Sequence, residues 1–346
     1  MDTISVAILG ASGYTGAELI RILAGHSRVR MTALSADRKA GQSVASVFPQ
    51  FTGLKLPDLV ALDKISWDGV DAVFCGLPHG TTQEVIAALP ERLKVIDLSA
   101  DFRLRDIEEY ARWYGHAHRA PALQKTAVYG LTEHNRAAIK KARLVANPGC
   151  YPTSAALPLM PLLSAKLIDA DEIVIDSKSG VTGAGRALKE NILFSEVAEG
   201  MQAYGVGHHR HAPEIDQSLS EAAGRSVVAS FTPHLIPINR GMESTIYAHM
   251  SGKSSVEDLR AALVKRYADE PFVQILPQGQ IPETRFVRGS NLCQISVTAD
   301  RRPGRAILSS VIDNLTKGAS GQAVQNFNVM FGLPETTGLM LPALFP

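Results

Sequence analysis

A glycine-rich loop near the N-terminus lies between a mostly apolar run and a segment with helical spacing. Residues 5–9 suit a strand buried on both faces, residues 10–16 contain three glycines, and apolar residues recur at helical spacing over 17–23. This order predicts a dinucleotide-binding fold, because glycines let a pyrophosphate approach the backbone and the helix N-terminus attracts its charge. The spacing G-x-x-G-x-x-G departs from G-x-G-x-x-G, so an ordinary turn remains the alternative.

Strands and helices continue to alternate through the first half of the chain. We predict strands over 29–34, Ala72–Cys75, 94–98 and Leu144–Ala146, with a helix over 82–89. This alternation predicts an α/β fold with a Rossmann-type dinucleotide-binding domain. Such sheets bind ligands at the carboxyl ends of their strands. The residues predicted there to contact the cofactor are Gly10, Ser12, Gly13, Tyr14, Thr15, Gly16, Ser35, Pro78 and Ser99.

The end of the second predicted strand indicates which nicotinamide cofactor to expect. An NAD enzyme places an acidic residue there to hold the ribose 2′-hydroxyl, whereas this chain has Ser35 followed by Arg38 and Lys39. Two cations beside a small polar residue suit a 2′-phosphate. We therefore predict NADP(H) as the cofactor, with Arg38 among its contacts. Asp37 is able to take the acidic role, which keeps NAD as the alternative.

One cysteine, Cys150, is predicted to lie at the start of a helix. Residues 147–149 break the preceding apolar run, and Pro152 suits the first turn of the helix-like run that follows. Backbone amides and the dipole at a helix N-terminus stabilise a thiolate, so Cys150 is a candidate nucleophile. The alternative is a small buried apolar residue. Cys75, inside an apolar strand, is predicted to belong to the core, and the role of Cys293 stays open.

Two histidines separated by one residue are candidates for the acid or base. His209 and His211 point to the same side of an extended segment, and a histidine near a thiolate is suited to moving a proton. We predict that one of them is catalytic and the other structural. The alternative for each is ordinary packing. No metal is predicted, because no second pair of ligands stands at zinc-site spacing.

The second half of the chain has strands separated by long connections, which indicates an α+β catalytic domain. The predicted strands are 172–177, 226–231, 245–250 and 294–298, and the predicted helices are 256–263, 308–315 and 318–325. We predict a nucleotide domain over 1–149 and a catalytic and substrate domain over 150–314. The segment 315–346 is predicted to pack back onto the first domain.

Five further residues complete the predicted site. Gly183 lies in a glycine-rich loop over 179–186, and both Gly183 and Asn314 are predicted to contact the cofactor. A guanidinium holds a carboxylate or a phosphate through paired hydrogen bonds. The residues predicted to contact the substrate are Arg103, Asn147 and Arg240. Which arginine holds which anion stays open.

Composition argues against several classes of function. The chain has 346 residues, 45% of them apolar, and 35 basic against 34 acidic residues give a net charge of +1. The chain has no excess of basic residues that would indicate binding to a nucleic acid. It also has no charged tail that would indicate binding to a membrane surface. The N-terminal residues lack the pattern of a signal peptide, and three scattered cysteines do not form a disulfide framework. We therefore expect a cytoplasmic protein that acts on a small molecule.

Several sequence blocks resemble those of the N-acetyl-gamma-glutamyl-phosphate reductases. They are residues 10–19, 128–133, 147–153, 209–214 and 317–325. The block around Cys150 is highly specific, whereas the glycine block is much less so alone. The resemblance runs from the first strand to about Pro334. One departure is Thr132, where the family pattern has proline, and it does not affect the proposed chemistry.

This resemblance implies a function and an assembly. It implies NADPH-dependent reduction of N-acetyl-L-glutamyl 5-phosphate to N-acetyl-L-glutamate 5-semialdehyde in arginine biosynthesis. Cys150 would form a thioester, and His209 would act as the acid or base, with His211 as the alternative. The resemblance also implies the two-domain architecture of semialdehyde dehydrogenases, with a catalytic and dimerisation domain, as a homodimer or homotetramer.

Three other functions are weighed against this one. An aspartate-semialdehyde dehydrogenase would keep the cysteine, the histidine and NADP, but its substrate has a free amine that needs a carboxylate. An amino-adipyl-phosphate reductase would take its substrate on a carrier protein and need a basic docking face, which the near-neutral charge disfavours. A non-catalytic NADP-binding regulator would need no activated cysteine.

Overall fold

The structure, a computed structural model, describes residues 3–345 and contains two compact units. The first unit comprises residues 3–148 and Ala319–Met340, and the second comprises Gly149–Gly318 and residues 341–345. The C-terminal segment therefore divides differently from the predicted 315–346, because its two ends belong to the second unit.

Seven strands form the sheet of the first unit. In chain order they are β1 (Ile4–Leu9), β2 (Val29–Ser35), β3 (Leu59–Val60), β4 (Ala72–Cys75), β5 (Lys94–Asp97), β6 (Val128–Tyr129) and β7 (Leu144–Ala146). Their order across the sheet is β3-β2-β1-β4-β5-β7-β6, and all pairings are parallel. The order reverses between β1 and β4, which is the point where doubly wound sheets bind ligands. The predicted Rossmann-type domain is confirmed.

Close backbone packing explains two of the glycines that follow β1. Gly10 has a φ of +75°, and a Cβ there would lie 2.5 Å from the Gly76 carbonyl oxygen. A Cβ on Gly16 would lie 2.6 Å from the Gly10 carbonyl oxygen. Only glycine fits both positions. The helices that follow in this unit are α1 (Tyr14–Leu23), α2 (Val44–Val47), α3 (Thr82–Ala87), α4 (Ile107–Tyr114), α5 (Pro121–Gln124) and α6 (Thr132–Ile139).

The second unit is built on a mixed seven-stranded sheet. Its strands are β8 (Ile168–Gly180), β9 (Gln202–Ala203), β10 (Ser230–Ile236), β11 (Met242–Met250), β12 (Val273–Ile275), β13 (Cys293–Ala299) and β14 (Arg305–Ile312). The order is β12-β13-β14-β11-β8-β10-β9. Its helices are α7 (Cys150–Ser164), α8 (Phe194–Val197), α9 (Ala212–Ala223) and α10 (Val256–Tyr267). This α+β arrangement agrees with the predicted fold class.

Helix α7 forms the centre of this unit. Residues 151–163 are buried without interruption, as expected for a helix that is apolar on all sides. It packs against α9, α10 and β11. The start of α7 therefore has a fixed position within the unit.

Two predicted elements of the second half are wrong. Residues 308–315 were expected to be helical, but β14 pairs there with β11 on one side and β13 on the other. The predicted strand over 226–231 begins only at Ser230. Before it, the Val227 amide donates to Ser220 Oγ at 2.9 Å, which ties the segment to α9. The first difference comes from strand partners that are distant in the sequence, and the second from a side chain seven residues earlier.

The chain re-enters the first unit through a π-helical turn, Thr316–Ser320, and ends its regular structure in α11 (Gly321–Met330). Every residue of α11 is buried, including its two glutamines and two asparagines. Asn326 Nδ2, for example, donates to the Gly130 carbonyl oxygen at 2.8 Å. Among residues 3–345, no helix combines the length and the apolar character that a membrane span requires.

Candidate active site

Cys150 is the first residue of α7, with Gly149 as the N-cap. Gly149 is extended, with φ −69° and ψ 158°, and the helical ladder begins with the bond from the Thr153 amide to the Gly149 carbonyl oxygen at 3.0 Å. The first amides of a helix have no acceptor within the helix, so they favour a negative charge beside them. The half-buried thiol of Cys150 therefore lies where a thiolate and an oxyanion are both stabilised.

A second segment of the chain passes very close to the cysteine. A Cβ on Gly318 would lie only 2.7 Å from the Cβ of Cys150. The Gly318 amide donates to the Asp313 carbonyl oxygen at 2.9 Å, which fixes this segment. With a larger residue at position 318, one of these two segments would have to shift.

The two predicted histidines lie together immediately before α9. Their ring centroids are 5.0 Å apart, and Tyr151 contacts both rings edge-on, at 5.5 Å from His209 and 5.8 Å from His211. The His211 amide donates to Nδ1 of His209 at 3.1 Å. Since Nδ1 is an acceptor, the neutral ring of His209 carries its proton on Nε2. Among residues 3–345, no group of three His, Cys, Asp or Glu side chains is arranged to hold a metal ion.

His209 is neutral at physiological pH. Its pKa is lowered to about 4, first by burial and then by the charges of Arg210 and His208. A neutral imidazole is able to accept a proton, so His209 has the form that a general base requires.

The low pKa of His209 predicts a dependence of stability on pH. The unfolded ring titrates near pH 6.5 and the folded ring near 4, so the unfolded state binds more protons between these values. The contribution is present in full above pH 6.5 and is lost as the pH falls toward 4. Through this ring, the wild type is expected to lose up to about 3 kcal/mol of unfolding free energy as the pH falls across this window. His209→Asn has no titrating ring at this position and should not show that loss.

Urea unfolding of the wild type and His209→Asn at pH 7 and pH 4.5 measures this effect. At each pH, the unfolding free energy of the variant is subtracted from that of the wild type, and the two differences are compared. Other groups titrate equally in both proteins, so their effects cancel. If the two proteins differ in unfolding free energy by the same amount at both pH values, the assignment of a neutral His209 is contradicted.

Two tyrosines that the sequence analysis did not single out also belong to this site. The Tyr204 hydroxyl donates to the Tyr151 hydroxyl at 3.1 Å, and the Tyr204 ring lies 5.2 Å from the His209 ring. The pKa of Tyr204 is raised, chiefly by burial, and the negative charge of Cys150 raises it further. Tyr204 and Tyr151 therefore both pack beside the His209 ring, and Tyr151 directly follows Cys150 in the chain.

Arg240 is held by a buried carboxylate. Its Nη1 lies 3.3 Å from Asp313 Oδ2, and the Asp313 side chain also accepts from the amides of Gly289, Leu315 and Thr316 at 2.7–2.9 Å. Asp313 is fully buried, whereas the Arg240 side chain is one-quarter exposed. A guanidinium fixed in this way remains suited to binding an anion.

The predicted cofactor residues of the second unit, Gly183 and Asn314, have structural contacts. Asn314 Nδ2 donates to Thr182 Oγ1 at 2.9 Å, and its Oδ1 accepts from the Gly241 amide at 2.9 Å. A Cβ on Gly183 would lie 3.1 Å from Ser179 Oγ. Their role in cofactor binding stays a prediction.

The first unit contains a cleft of about 790 Å³ where β1, β2 and β4 end. Ligand sites commonly measure about 300–1,000 Å³. Its lining includes the predicted residues Gly10, Ser12, Gly13, Ser35 and Pro78. A Cβ on Gly13 would meet only the Gly10 carbonyl oxygen, at 3.4 Å, so the fold itself does not require glycine there. A glycine that lines this cleft without a packing need suits the close approach of a ligand.

The other predicted cofactor residues do not line this cleft. Tyr14, Thr15 and Gly16 form the first turn of α1, and Arg38 is exposed in the turn after β2. Asp37 does line the cleft. Ser35 has a further role, because its Oγ accepts from the Gly10 amide at 3.2 Å and so fixes the glycine loop.

Ser99 belongs to a buried polar network beneath the loop that follows β4. Its Oγ donates to Asp97 Oδ2 at 2.7 Å. Burial raises the pKa of Asp97 to about 7, against the opposing effect of the Ser99 hydrogen bonds. Asp101 accepts from the amides of Gly80 and Thr82 at 2.8 and 3.1 Å. These two aspartates were not predicted as site residues, although Asp97 is the last residue of β5 and Asp101 lies four residues beyond it.

Arg103 and Asn147, predicted to bind substrate, are buried and hydrogen-bonded within the first unit. Arg103 Nε donates to the Asn147 carbonyl oxygen at 2.8 Å. Asn147 Nδ2 donates to the Ala319 carbonyl oxygen, and its Oδ1 accepts from Asn326, both at 3.1 Å. These contacts hold backbone segments together, and a substrate role stays a prediction.

The two remaining cysteines are buried. Burial raises the pKa of Cys75 well above its usual value, and the charge of Asp97 adds to this, so its thiol stays protonated. Cys293 is fully buried with its sulfur 3.5 Å from Ser310 Oγ. Cys150 is therefore the most accessible of the three thiols.

Comparison with known proteins identifies the class to which the two domains belong. Residues 5–142 match the family model for the semialdehyde dehydrogenase NAD binding domain, and residues 150–314 match that for the semialdehyde dehydrogenase dimerisation domain. A solved aspartate semialdehyde dehydrogenase II from Vibrio cholerae shares the fold, with a TM-score of 0.71 at 17% identity over 96% of this chain and 99% of that one. The fold and the site thus define an oxidoreductase of the semialdehyde dehydrogenase class.

Two curated relatives narrow this class. The N-acetyl-gamma-glutamyl-phosphate reductase of Rhodospirillum rubrum is 60% identical over 100% of this chain and 99% of its own length. The probable chloroplastic N-acetyl-gamma-glutamyl-phosphate reductase of Arabidopsis thaliana is 60% identical over 99% of this chain and 86% of its own length. The chain belongs to the N-acetyl-gamma-glutamyl-phosphate reductase family.

Proposed function

We propose that this protein reduces N-acetyl-L-glutamyl 5-phosphate to N-acetyl-L-glutamate 5-semialdehyde and phosphate in arginine biosynthesis, with NADPH as the reductant. The observation that carries the proposal is the position of Cys150 at the N-terminus of α7, in a site that also contains the neutral His209. This pair supplies a nucleophile and a base in one site.

The chain's own residues account for the covalent steps. The Cys150 thiolate attacks the acyl carbon, the bond from that carbon to the phosphate oxygen breaks, and a thioester forms as phosphate leaves. NADPH, when bound, supplies the hydride that reduces the thioester carbon. First-turn amides of α7 stabilise the oxyanion at each stage. The carbon–sulfur bond then breaks to release the aldehyde and restore the thiolate. His209, or alternatively His211, acts as the acid or base in these steps.

The cleft of the first unit is proposed to hold the cofactor. Gly13 lines it without a packing requirement, and β1 and β4 end at it on either side of the switch point. For the choice of NADP over NAD, the support is the pair of cations Arg38 and Lys39 close behind Ser35. Asp37, which lines the cleft, is the feature that favours NAD, and the assay below compares the two cofactors directly.

Arg240 is proposed to bind an anionic group of the substrate. Its contact with Asp313 orients the guanidinium while leaving part of the side chain exposed. We further propose that the protein works in the cytoplasm as a homodimer or homotetramer.

The reverse reaction provides the direct test. The purified protein is incubated with N-acetyl-L-glutamate 5-semialdehyde and phosphate, with NADP or NAD, and the absorbance of the reduced nicotinamide is followed. We expect a signal that depends on phosphate, is at least about tenfold faster with NADP, and is absent with aspartate semialdehyde. A signal with aspartate semialdehyde, and none with N-acetyl-L-glutamate 5-semialdehyde, would contradict the proposed substrate. If the protein binds NADP but gives no signal with either aldehyde, a non-catalytic NADP-binding regulator would be favoured.

A further inference from the structure

We propose that Glu214 is a positioning residue that holds the Cys150 thiolate and the histidine pair in register. The inference rests on the proposed thioester chemistry, and it concerns a side chain that has no part in the steps derived above. Glu214 lies in the first turn of α9 and is only 1% exposed.

The Glu214 side chain is bound to the residue that precedes the nucleophile. Its Oε1 accepts from the Gly149 amide at 2.8 Å. Gly149 is the N-cap of α7, so this bond fixes the backbone at the point where Cys150 begins the helix. A hydrogen bond to a carboxylate is about twice as strong as one between neutral groups, and a buried one is not easily replaced by water.

The backbone of Glu214 belongs to the turn that presents the histidines. The Ala212 amide donates to the His209 carbonyl oxygen at 2.9 Å, and the Ile215 amide donates to the His211 carbonyl oxygen at 3.0 Å. Glu214 therefore moves together with these two residues. Through one side chain, the start of α9 is joined to the start of α7, and the nucleophile and its proton carriers are held as one body.

The bond also fixes the backbone that carries the amides nearest to the sulfur. Glu214 takes the amide of Gly149, and Pro152 has no amide hydrogen. The amides of Cys150 and Tyr151 follow Gly149 along the chain, before the Thr153 amide that makes the first ladder bond. With Gly149 held, these two amides keep a constant direction toward an oxyanion on the acyl carbon.

A carboxylate near a thiolate would disfavour the thiolate by charge alone, so the benefit of Glu214 must come from geometry. Glu214→Gln keeps an oxygen that accepts from the Gly149 amide and removes the charge. Glu214→Leu removes the acceptor at similar volume, and Glu214→Asp shortens the reach by one methylene. The control is Glu221→Gln and Glu221→Leu, at an exposed position on the same helix.

The readouts are kcat and KM in the aldehyde assay, the rate of alkylation of Cys150 by iodoacetamide, and the melting temperature. For Glu214→Leu we expect kcat to fall about 30-fold with KM within about threefold, since misplacement of about 1 Å costs this much or more. Glu214→Gln should stay within about fivefold of the wild type, and the Glu221 variants should be unchanged. Should the leucine variant not fold, the aspartate variant is expected to lose about tenfold while the glutamine variant does not.

Two outcomes would overturn the proposal. Equal losses in Glu214→Gln and Glu214→Leu would make Glu214 an acid or base. A lower melting temperature with kcat unchanged in the folded Glu214→Leu protein would make its role structural only. The alkylation rate needs neither substrate nor cofactor. A changed Cys150 reactivity in Glu214→Leu, but not in Glu214→Gln, therefore supports positioning even if the assay shows that the proposed substrate is wrong.

Discussion

The Cys150→Ala variant is expected to lose at least about 10³-fold in kcat, because removal of a nucleophile leaves only the residual effects of binding and oxyanion stabilisation. Cys150→Ser should behave similarly, since a serine hydroxyl stays protonated at neutral pH in a site arranged for a thiolate. Oxidation of N-acetyl-L-glutamate 5-semialdehyde in the presence of phosphate and NADP measures the loss. Binding of NADP, followed by fluorescence quenching, should change by less than about twofold, because the proposed cofactor cleft is lined by residues of the first unit.

The two buried cysteines provide the matched control. Cys75→Ala and Cys293→Ala remove thiols of the core, so they should lower stability rather than kcat. A protein with both changes keeps a single thiol, and iodoacetamide should label it once, at Cys150, with loss of activity in parallel. Turnover near the wild-type rate in Cys150→Ser would rule out a thioester on this residue.

The sequence predicts the parts of this molecule that depend on local patterns. The run from β1 through Gly10 to α1 and the position of Cys150 at the start of α7 both follow from neighbouring residues. The histidine pair is likewise visible as a local cluster. In each case the physical reason is contained within one strand, one turn or one helix start.

Features that depend on distant partners were missed. The segment 308–315 has small and apolar residues that suit a helix, but pairing with β11 and β13 makes most of it a strand. The bond from Gly149 to Glu214 spans 65 residues, and Ser35 reaches the Gly10 amide across 25. Nothing local to Glu214 distinguishes it from an ordinary acidic residue in a first helical turn, which is a common place for one.

The departure at Thr132 has a similar explanation. Its hydroxyl donates to Asn326 Oδ1 at 2.8 Å in a buried network that also includes Gln322. A proline at this position, as in the family pattern, would have no hydroxyl for these bonds. The threonine is therefore matched to side chains of α11, nearly two hundred residues later, and the sequence near residue 132 does not reveal them.

Gly318 offers the sharpest test of how tightly the nucleophile is held. An alanine there would put its Cβ 2.7 Å from the Cys150 Cβ, whereas two carbon atoms pack at about 3.5–4.0 Å. Neither side yields easily, because α7 is buried along its length and the Gly318 amide is bonded to the Asp313 carbonyl. We expect Gly318→Ala to lower kcat about 100-fold or more by displacing the sulfur, and to lower the unfolding free energy by about 1–3 kcal/mol through overpacking.

Gly200→Ala is the matched control, since a Cβ at that exposed position meets only the Ala198 carbonyl oxygen, at 3.9 Å. The kinetic assay, iodoacetamide alkylation and urea unfolding are applied to both variants. Displacement of Cys150 predicts that Gly318→Ala loses kcat and alkylation rate together, while affinity for NADP is kept. If instead only stability falls, the segment around residue 318 moves aside and the nucleophile stays in place, and the close contact is then a requirement of folding rather than of catalysis.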